Sequence, residues 1–313
     1  MRKELSAILS GTNPWHEEKT FIEREEVIKM NQSNERERLV VLKALQTAVQ
    51  PVLEGYINSE ECKNILEVGC GTGFFSRWLA PDWLTERISS LDVNLPSLRE
   101  FQKLSPDGNL LRASIYRLPI GKERLDAVIG FSSFDSFLFL TRALGEVQRI
   151  LKPGAKIILF QDLTTELYME KGEENVSLET VERCHKDLIQ DLEQKGFEIV
   201  AGRDDVLVGL AVESAEDIEK RVDADIPRRE HPIFAGYDRG YAFPVFSRAT
   251  REETGWTKEK VEEWLDSHDL AEIENTIKPA RPFDDLQAGS GDVIEWVRIR
   301  CLVAEKTSDT KPR

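Results

Sequence analysis

The stretch Asn64–Leu79, NILEVGCGTGFFSRWL, constrains the fold of this chain more than any other. Ile65, Leu66 and Val68 form a short apolar run that reads as a buried strand. Gly69, Gly71 and Gly73 then alternate with Cys70 and Thr72. Phe74, Phe75, Trp78 and Leu79 follow at helical spacing, and Pro81 closes the segment. The predicted order is strand, tight glycine turn, helix. Glycine has no Cβ, so it adopts positive φ and lets a ligand approach the backbone. A helix N-terminus adds unpaired N–H groups and the positive end of a dipole. Such a corner suits an anionic or strongly polar ligand group.

The next segments supply a second ligand group and a sheet to carry it. Ile88–Val93 (ISSLDV) reads as the second strand, with Asp92 near its C-terminal end. Asp92 lies about 20 residues beyond the glycine turn, the separation expected of an acid that binds ribose hydroxyls. A carboxylate can accept both hydroxyl hydrogens of a cis-diol. Standing alone, Asp92 would read as a cap for a helix over Leu95–Leu104; behind the glycine turn, the ligand reading is stronger. Asn109–Ala113 reads as a third strand, followed by Ser114 and Ile115. Leu125–Phe131 reads as a fourth, with Ser132, Ser133, Phe134 and Asp135 at its mouth. Leu140, Leu144, Val147 and Leu151 mark one face of a helix that Lys152, Pro153 and Gly154 should stop. Lys156–Phe160 is the predicted fifth strand. Strict alternation of strand and helix argues for an α/β fold with a doubly wound, mostly parallel sheet. Ligands in such sheets lie outside the carboxyl ends of the strands. Gly69–Gly73, Asp92, Ser114–Ile115 and Phe131–Ser133 all converge there.

Two motifs go further. From Glu67 the turn reads E-x-G-x-G-x-G, and Glu146–Phe160 reads EVQRILKPGAKIILF. They resemble the first motif, and the segment joining the fourth and fifth strands, of class I S-adenosylmethionine-dependent methyltransferases of small-molecule type. The resemblance covers roughly Asn64–Val200 and a last strand over Val293–Ala304. It implies a Rossmann-like seven-stranded sheet whose seventh strand is antiparallel, with S-adenosyl-L-methionine as cofactor. It also implies a cofactor site built from Glu67, Gly69, Cys70, Gly71, Gly73, Asp92, Val93, Ser114, Ile115 and Phe131. Family members often carry an acid at the adenine corner; Ser114 stands there in this chain, with a hydroxyl that can still donate or accept. A dinucleotide turn would instead read G-x-G-x-x-G. Its third glycine is here Phe74, which sets an NAD-dependent oxidoreductase behind the methyltransferase reading.

Domain limits follow from the extent of the resemblance. Residues 1–60 read as an N-terminal helical cap, with Leu39, Leu42, Leu45 and Val49 as its stripe. Residues 61–208 are the expected cofactor-binding core. Here Val181, Cys184, Leu188 and Leu192 mark a helix capped by Gly196, and Phe197–Val200 is a sixth strand. Residues 209–291 are an insertion and the expected acceptor lid, rich in Phe and Tyr over Phe234–Phe246. Residues 292–307 hold the last strand, and 308–313 form a tail. His231, Tyr237 and Asp135 are candidate general bases, needed only where the acceptor loses a proton.

Composition narrows the partners. Apolar residues make up 40% and charged residues 32% of 313, which suits a globular chain with a core. No apolar run approaches membrane-spanning length, and Met1–Ser10 is too evenly charged for a signal peptide, so the cytoplasm is the expected compartment. A net charge of −15 argues against a nucleic-acid backbone as partner. Cys62, Cys70, Cys184 and Cys301 form no metal-ligand spacing and read as reduced thiols; no metal is expected. The Phe131–Phe134 segment, FSSF, replaces the Pro-Pro loop of base and glutamine N-methyltransferases. What remains is methyl transfer to a small organic acceptor. A protein side chain as acceptor, or a catalytically silent binding protein of this fold, are the alternatives. The sequence does not specify an oligomeric state.

Overall fold

The computed structural model describes residues 35, 38–39, 41–57, 60–134, 137, 139–162, 178–203, 206–214, 216–218, 220–221, 246–247 and 292–307. Five strands run parallel: β1 (Ile65–Val68), β2 (Ile88–Asp92), β3 (Leu110–Arg112), β4 (Leu125–Phe131) and β5 (Leu151–Asp162). They are followed by β6 (Phe197–Ala201), β7 (Val206–Ser214), β8 (Phe246–Ser247) and β9 (Asp292–Lys306). The sheet order is β3-β2-β1-β4-β5-β9-β6, with β9 antiparallel to both of its neighbours on that path. This is the seven-stranded, mostly parallel sheet expected from the sequence. All four residues of β1 are buried, because helices cover both faces of a central parallel strand.

Each face has its own core. On one, α1 (Leu42–Ile57) sets Leu42, Leu45, Val49, Leu53 and Ile57 against Phe75, Ile129, Phe160 and Val303. On the other, α4 (Leu140–Ile150) and α5 (Leu178–Gln194) bury Leu144, Val147, Leu188 and Leu192 against Leu66, Val128 and Ile157. Burying one such side chain contributes on the order of 1.5–3 kcal/mol, so packing rather than helix propensity fixes α1. The remaining helices are α2 (Asp82–Thr85) and α3 (Leu95–Leu104). The described part of residues 1–60 is thus built into the main core rather than set apart as a cap.

Three local expectations change. The helix predicted after the glycine turn is a single π-helical turn, Phe75–Leu79, which ends at Ala80 before Pro81. It is too short for a helix dipole to act on the glycine corner, which leaves the individual main-chain N–H groups there. The strand β5 begins at Leu151, directly after α4. The last α4 carbonyls are taken by Glu123 and Arg124, whose N–H groups donate to Arg149 and Ile150 oxygens at 3.0 and 2.7 Å. The Lys152–Gly154 stop therefore lies inside a strand, with Gly154 at φ +75.

The third change is larger. The boundary expected between Val208 and Gly209 falls inside β7, which pairs antiparallel with Asp292–Arg300 of β9. The chain leaves β6, swerves at Gly202 (φ +79), and continues along the same edge of β9. A Cβ at Gly202 would sit 1.6 Å from the Cys301 oxygen, and one at Gly209 would sit 1.9 Å from the Ala44 oxygen. Gly209 is therefore the place where the backbone of α1 presses directly on β7. The described start of the predicted insertion and the N-terminal helix form one packed unit. Among the described residues, no helix is long and apolar enough to cross a membrane.

Candidate functional site

The site is the set of turns at the carboxyl ends of β1, β2, β3 and β4. After β1, Gly69, Gly71 and Gly73 all have positive φ, at +71, +54 and +90. A Cβ on Gly69 would lie 2.6 Å from the Ser133 Cβ, and one on Gly73 would lie 2.5 Å from the Phe101 ring. Two of the three glycines are thus required by packing as well as by conformation. The Gly69 and Cys70 N–H groups both donate to the Leu91 carbonyl, at 2.8 and 3.0 Å, which ties the loop to the end of β2.

Asp92 closes this tie. Its Oδ2 accepts from the Gly71 N–H at 2.8 Å and its Oδ1 from the Asn94 N–H at 2.8 Å. It does not cap α3; Asn94 does, accepting from the Ser97 N–H at 2.8 Å. Burial pushes the Asp92 carboxyl up from its ordinary value, and bonds from the Asn94, Gly71 and Val93 N–H groups oppose that rise. A carboxylate offers about four lone-pair sites. Beyond these bonds it keeps acceptor capacity for a ligand hydroxyl. Val93 is half-buried beside it.

Glu67 lies within β1. It is buried in the sheet, and its Oε2 accepts from the Ser90 hydroxyl at 2.7 Å and from the Ser76 hydroxyl. Burial pushes its carboxyl up to about 7 despite these two bonds. Glu67 therefore braces the π turn against β2. Burial also holds the Cys70 thiol far above its ordinary value, helped by the Glu67 and Asp92 charges. A buried, neutral thiol is not a nucleophile, so Cys70 contributes backbone only.

After β3, Ser114 is buried and its hydroxyl accepts from the Tyr116 N–H at 3.1 Å. The Arg117 N–H donates to the Ser114 carbonyl at 3.2 Å, closing a tight turn. The Ile115 side chain is buried in the α4–α5 core, leaving only its backbone at the corner. After β4, the Phe131 ring lies 6.0, 6.2 and 6.3 Å from those of Phe74, Phe75 and Phe160. Ser132 adopts φ +47, unusual for a residue with a side chain, and its N–H donates to the Phe160 oxygen at 2.7 Å. The Ser133 hydroxyl is buried and has no hydrogen-bond partner among the described residues. A strained residue and an orphaned hydroxyl side by side, packed on Gly69, mark this exit as shaped for something other than stability.

The structure adds residues that the sequence reading passed over. Glu35 is buried against the glycine loop: its Oε2 accepts from the Thr72 hydroxyl at 2.5 Å and its Oε1 from an Arg77 guanidinium nitrogen at 2.6 Å. The Arg38 guanidinium lies over the Phe131 ring at 4.9 Å and over the Phe74 ring at 5.6 Å. In the sequence these residues sit in the charged run NERER, which looks like a solvated surface. His185, read as non-ligating, is buried with its Nε2 2.9 Å from the Arg203 oxygen. His231, Tyr237 and Asp135 lie outside the described residues, as does most of the 209–291 insertion.

Residues 66–159 match the family model described as a methyltransferase domain. A phthiotriol/phenolphthiotriol dimycocerosates methyltransferase of Mycobacterium leprae is 31% identical over 114 residues, covering 36% of this chain and 40% of the relative. A malonyl-acyl-carrier-protein O-methyltransferase of Serratia marcescens is 29% identical over 131 residues, 42% of this chain and 50% of the relative. An uncharacterized chloroplastic methyltransferase of Arabidopsis thaliana is 29% identical over 119 residues, 35% of this chain and 31% of the relative. The chain thus spans at most half the length of these relatives. The matched segment contains the glycine loop, Asp92, Ser114 and the β4 exit. Over residues 66–159 the chain is therefore similar to methyltransferase domains.

Proposed function

We propose that this chain transfers the methyl group of S-adenosylmethionine, in line, to a small organic acceptor. The observation that carries the reading is Asp92. Its carboxylate is held by main-chain N–H groups at the junction of the glycine loop and β2, those of Gly71 and Asn94 at 2.8 Å each, with acceptor capacity left for a ribose hydroxyl. A ribose placed there would set the amino-acid end along Gly69–Gly73 and the base toward Ser114. The orphaned Ser133 hydroxyl and the three positive-φ glycines fit a polar ligand lying across them.

S-adenosylmethionine supplies a methyl group already activated on a sulfonium, so the protein has no leaving group to create. What these residues do is position. Asp92 fixes the sugar, the glycine loop fixes the amino-acid end, and the Phe74, Phe75, Phe131 and Phe160 cluster keeps water from that side. Alignment of this kind can supply roughly 7–11 kcal/mol of a barrier. The acceptor pocket is assigned to the N-terminal segment and the 209–291 insertion; their described portions, α1 and the 209–214 part of β7, pack against each other. The relatives are named for different acceptors, so the acceptor is proposed by class alone.

Calorimetric titration with S-adenosylhomocysteine and NAD, side by side, tests the reading. Binding of the first and not the second is expected. Indifference to S-adenosylhomocysteine would overturn it. Incubating the chain with a metabolite extract and labelled S-adenosylmethionine, followed by mass spectrometry of the labelled product, then identifies the acceptor.

A further inference from the structure

We propose, resting on the reading above, that Arg221 is a positioning residue for the glycine loop and acts through the N-terminal residues around Glu35. Glu35 grips that loop. Its Oε2 accepts from the Thr72 hydroxyl at 2.5 Å and its Oε1 from the Arg77 guanidinium at 2.6 Å. Four residues on, the Leu39 carbonyl accepts from the Arg221 Nε at 2.9 Å, across 182 residues of sequence. Glu35, Arg38 and Leu39 have helical backbone, and a turn at Val41 stands between them and α1. The last carbonyls of a helical stretch have no N–H within it to accept from, and a cation is the favoured partner at that end.

Arg221 is itself aimed by β7. The Glu213 Oε1 accepts from an Arg221 guanidinium nitrogen at 2.7 Å, in a pair whose side chains are 12% and 10% exposed. Ser214, the last residue of β7, caps the turn that follows. Its hydroxyl accepts from the Asp217 N–H at 3.1 Å and donates to the Asp217 Oδ2 at 2.8 Å. Ile218, on the same turn, is buried in one core with Leu39, Phe74 and Phe131. A continuous set of contacts therefore runs from the end of β7 through Arg221, Leu39 and Glu35 to Thr72. A buried ion pair stands at each end, Glu213–Arg221 and Glu35–Arg77. Such pairs add little stability over apolar side chains of the same size, but their bonds fix direction. Used twice on one short segment, they fix where Glu35 sits and with it the shape of the loop. The start of the 209–291 region, expected to serve the acceptor, thus sets the cofactor side of the site.

The test is a double-mutant cycle, read by calorimetric titration of S-adenosylhomocysteine against the full chain, with the urea midpoint of every variant measured alongside. Arg221→Gln is expected to weaken the ligand about three- to thirtyfold. Arg221→Lys keeps the charge and a donor for Leu39, and is expected to recover part of the loss. In a Glu35→Gln background, Arg221→Gln is expected to weaken the ligand by less than about twofold, because the link it acts through is already cut. Its effect on the urea midpoint is expected to persist there. Glu213→Gln keeps an oxygen for Arg221 and disturbs folding least. It is expected to weaken the ligand about two- to threefold, and again only while Glu35 is present. A lower urea midpoint with unchanged affinity makes Arg221 a brace for the fold alone and overturns the proposal. Equal losses of affinity with and without Glu35 overturn it as well. A wild-type chain that does not bind S-adenosylhomocysteine overturns the methyltransferase reading itself, which is a separate outcome.

Discussion

The turn after β1 and the turn after β3 leave the sheet at the same end, yet they are held in different ways. After β1 the loop depends on distant groups. Asp92, 21 residues on, accepts from Gly71; Glu35, 37 residues back, accepts from Thr72. After β3 the turn closes locally, with the Ser114 hydroxyl bonding the N–H two residues on. Its longer ties run through main-chain N–H groups, from Ala113 to the Asp92 carbonyl at 3.2 Å and from Phe139 to the Tyr116 hydroxyl at 3.4 Å. A turn braced by buried carboxylates is expensive to keep, because each of those groups has lost its water. Expense of that kind is expected where a ligand, rather than the fold, dictates the shape.

The largest expected effect tests that brace directly. Glu35→Ala removes one partner of a buried ion pair and leaves Arg77 without its carboxylate. Breaking such a pair costs about 3–5 kcal/mol, read as a lower urea midpoint. S-adenosylhomocysteine binding should weaken with it, because Thr72 loses its anchor. If stability and binding are both unchanged, the N-terminal segment does not brace the loop and the contrast between the turns collapses.

Glu67 should come next. Its carboxyl is raised from 4.5 to about 7, mainly by burial, so between those values the folded chain holds a proton that the unfolded chain has released. Stability should then fall as pH rises from about 4.5 to about 7 and level off above, by about 3 kcal/mol in all. Glu67→Gln carries no titrating group, so the slope of the urea midpoint across that window should flatten. An unchanged slope would place the Glu67 carboxyl in a wetter site than its serine partners suggest.

Asp92 tests the ligand side of the same turn. Asp92→Ala removes the acceptor for Gly71 and the proposed contact with the ribose. Charge-assisted hydrogen bonds of this type are worth about 1.5–3 kcal/mol each, so S-adenosylhomocysteine affinity should fall at least tenfold, near 1.4 kcal/mol. A loss of stability with no loss of affinity would leave Asp92 as a brace alone.

The two turns also differ in how much of them the sequence discloses. Alternating glycines, apolar strand runs and an acid about 20 residues on are local patterns, and they placed Gly69–Gly73, Asp92 and the sheet correctly. Glu67 matched the motif by position, but only its two serine partners show that it faces inward. Glu35 and Arg38 were illegible because their contacts are remote in sequence: Glu35 reaches Thr72 and Arg77, 37 and 42 residues on, and Arg38 reaches Phe74 and Phe131, 36 and 93 residues on. No periodicity records such pairings, and a run of alternating charges in isolation belongs to water. Gly209 misled for the same reason. Inside an apolar run it looks like a break, whereas it marks where the Ala44 backbone touches β7.

Ser114 carries the smallest expected effect and tests the other half of the contrast. Ser114→Ala deletes the hydroxyl that accepts from the Tyr116 N–H, a neutral hydrogen bond worth about 0.5–1.5 kcal/mol of stability. The site reading adds a question that stability alone does not answer, since this hydroxyl stands where the adenine would lie. S-adenosylhomocysteine and its inosine analogue differ there by an exocyclic amine replaced with a carbonyl. If the hydroxyl serves only its own turn, Ser114→Ala should weaken both ligands equally and by less than about tenfold. A loss confined to the adenosine ligand would mean that Ser114 reads the amine. The turn after β3 would then be shaped by the ligand too, and the distinction between the two turns would lie in how each is braced rather than in what each is for.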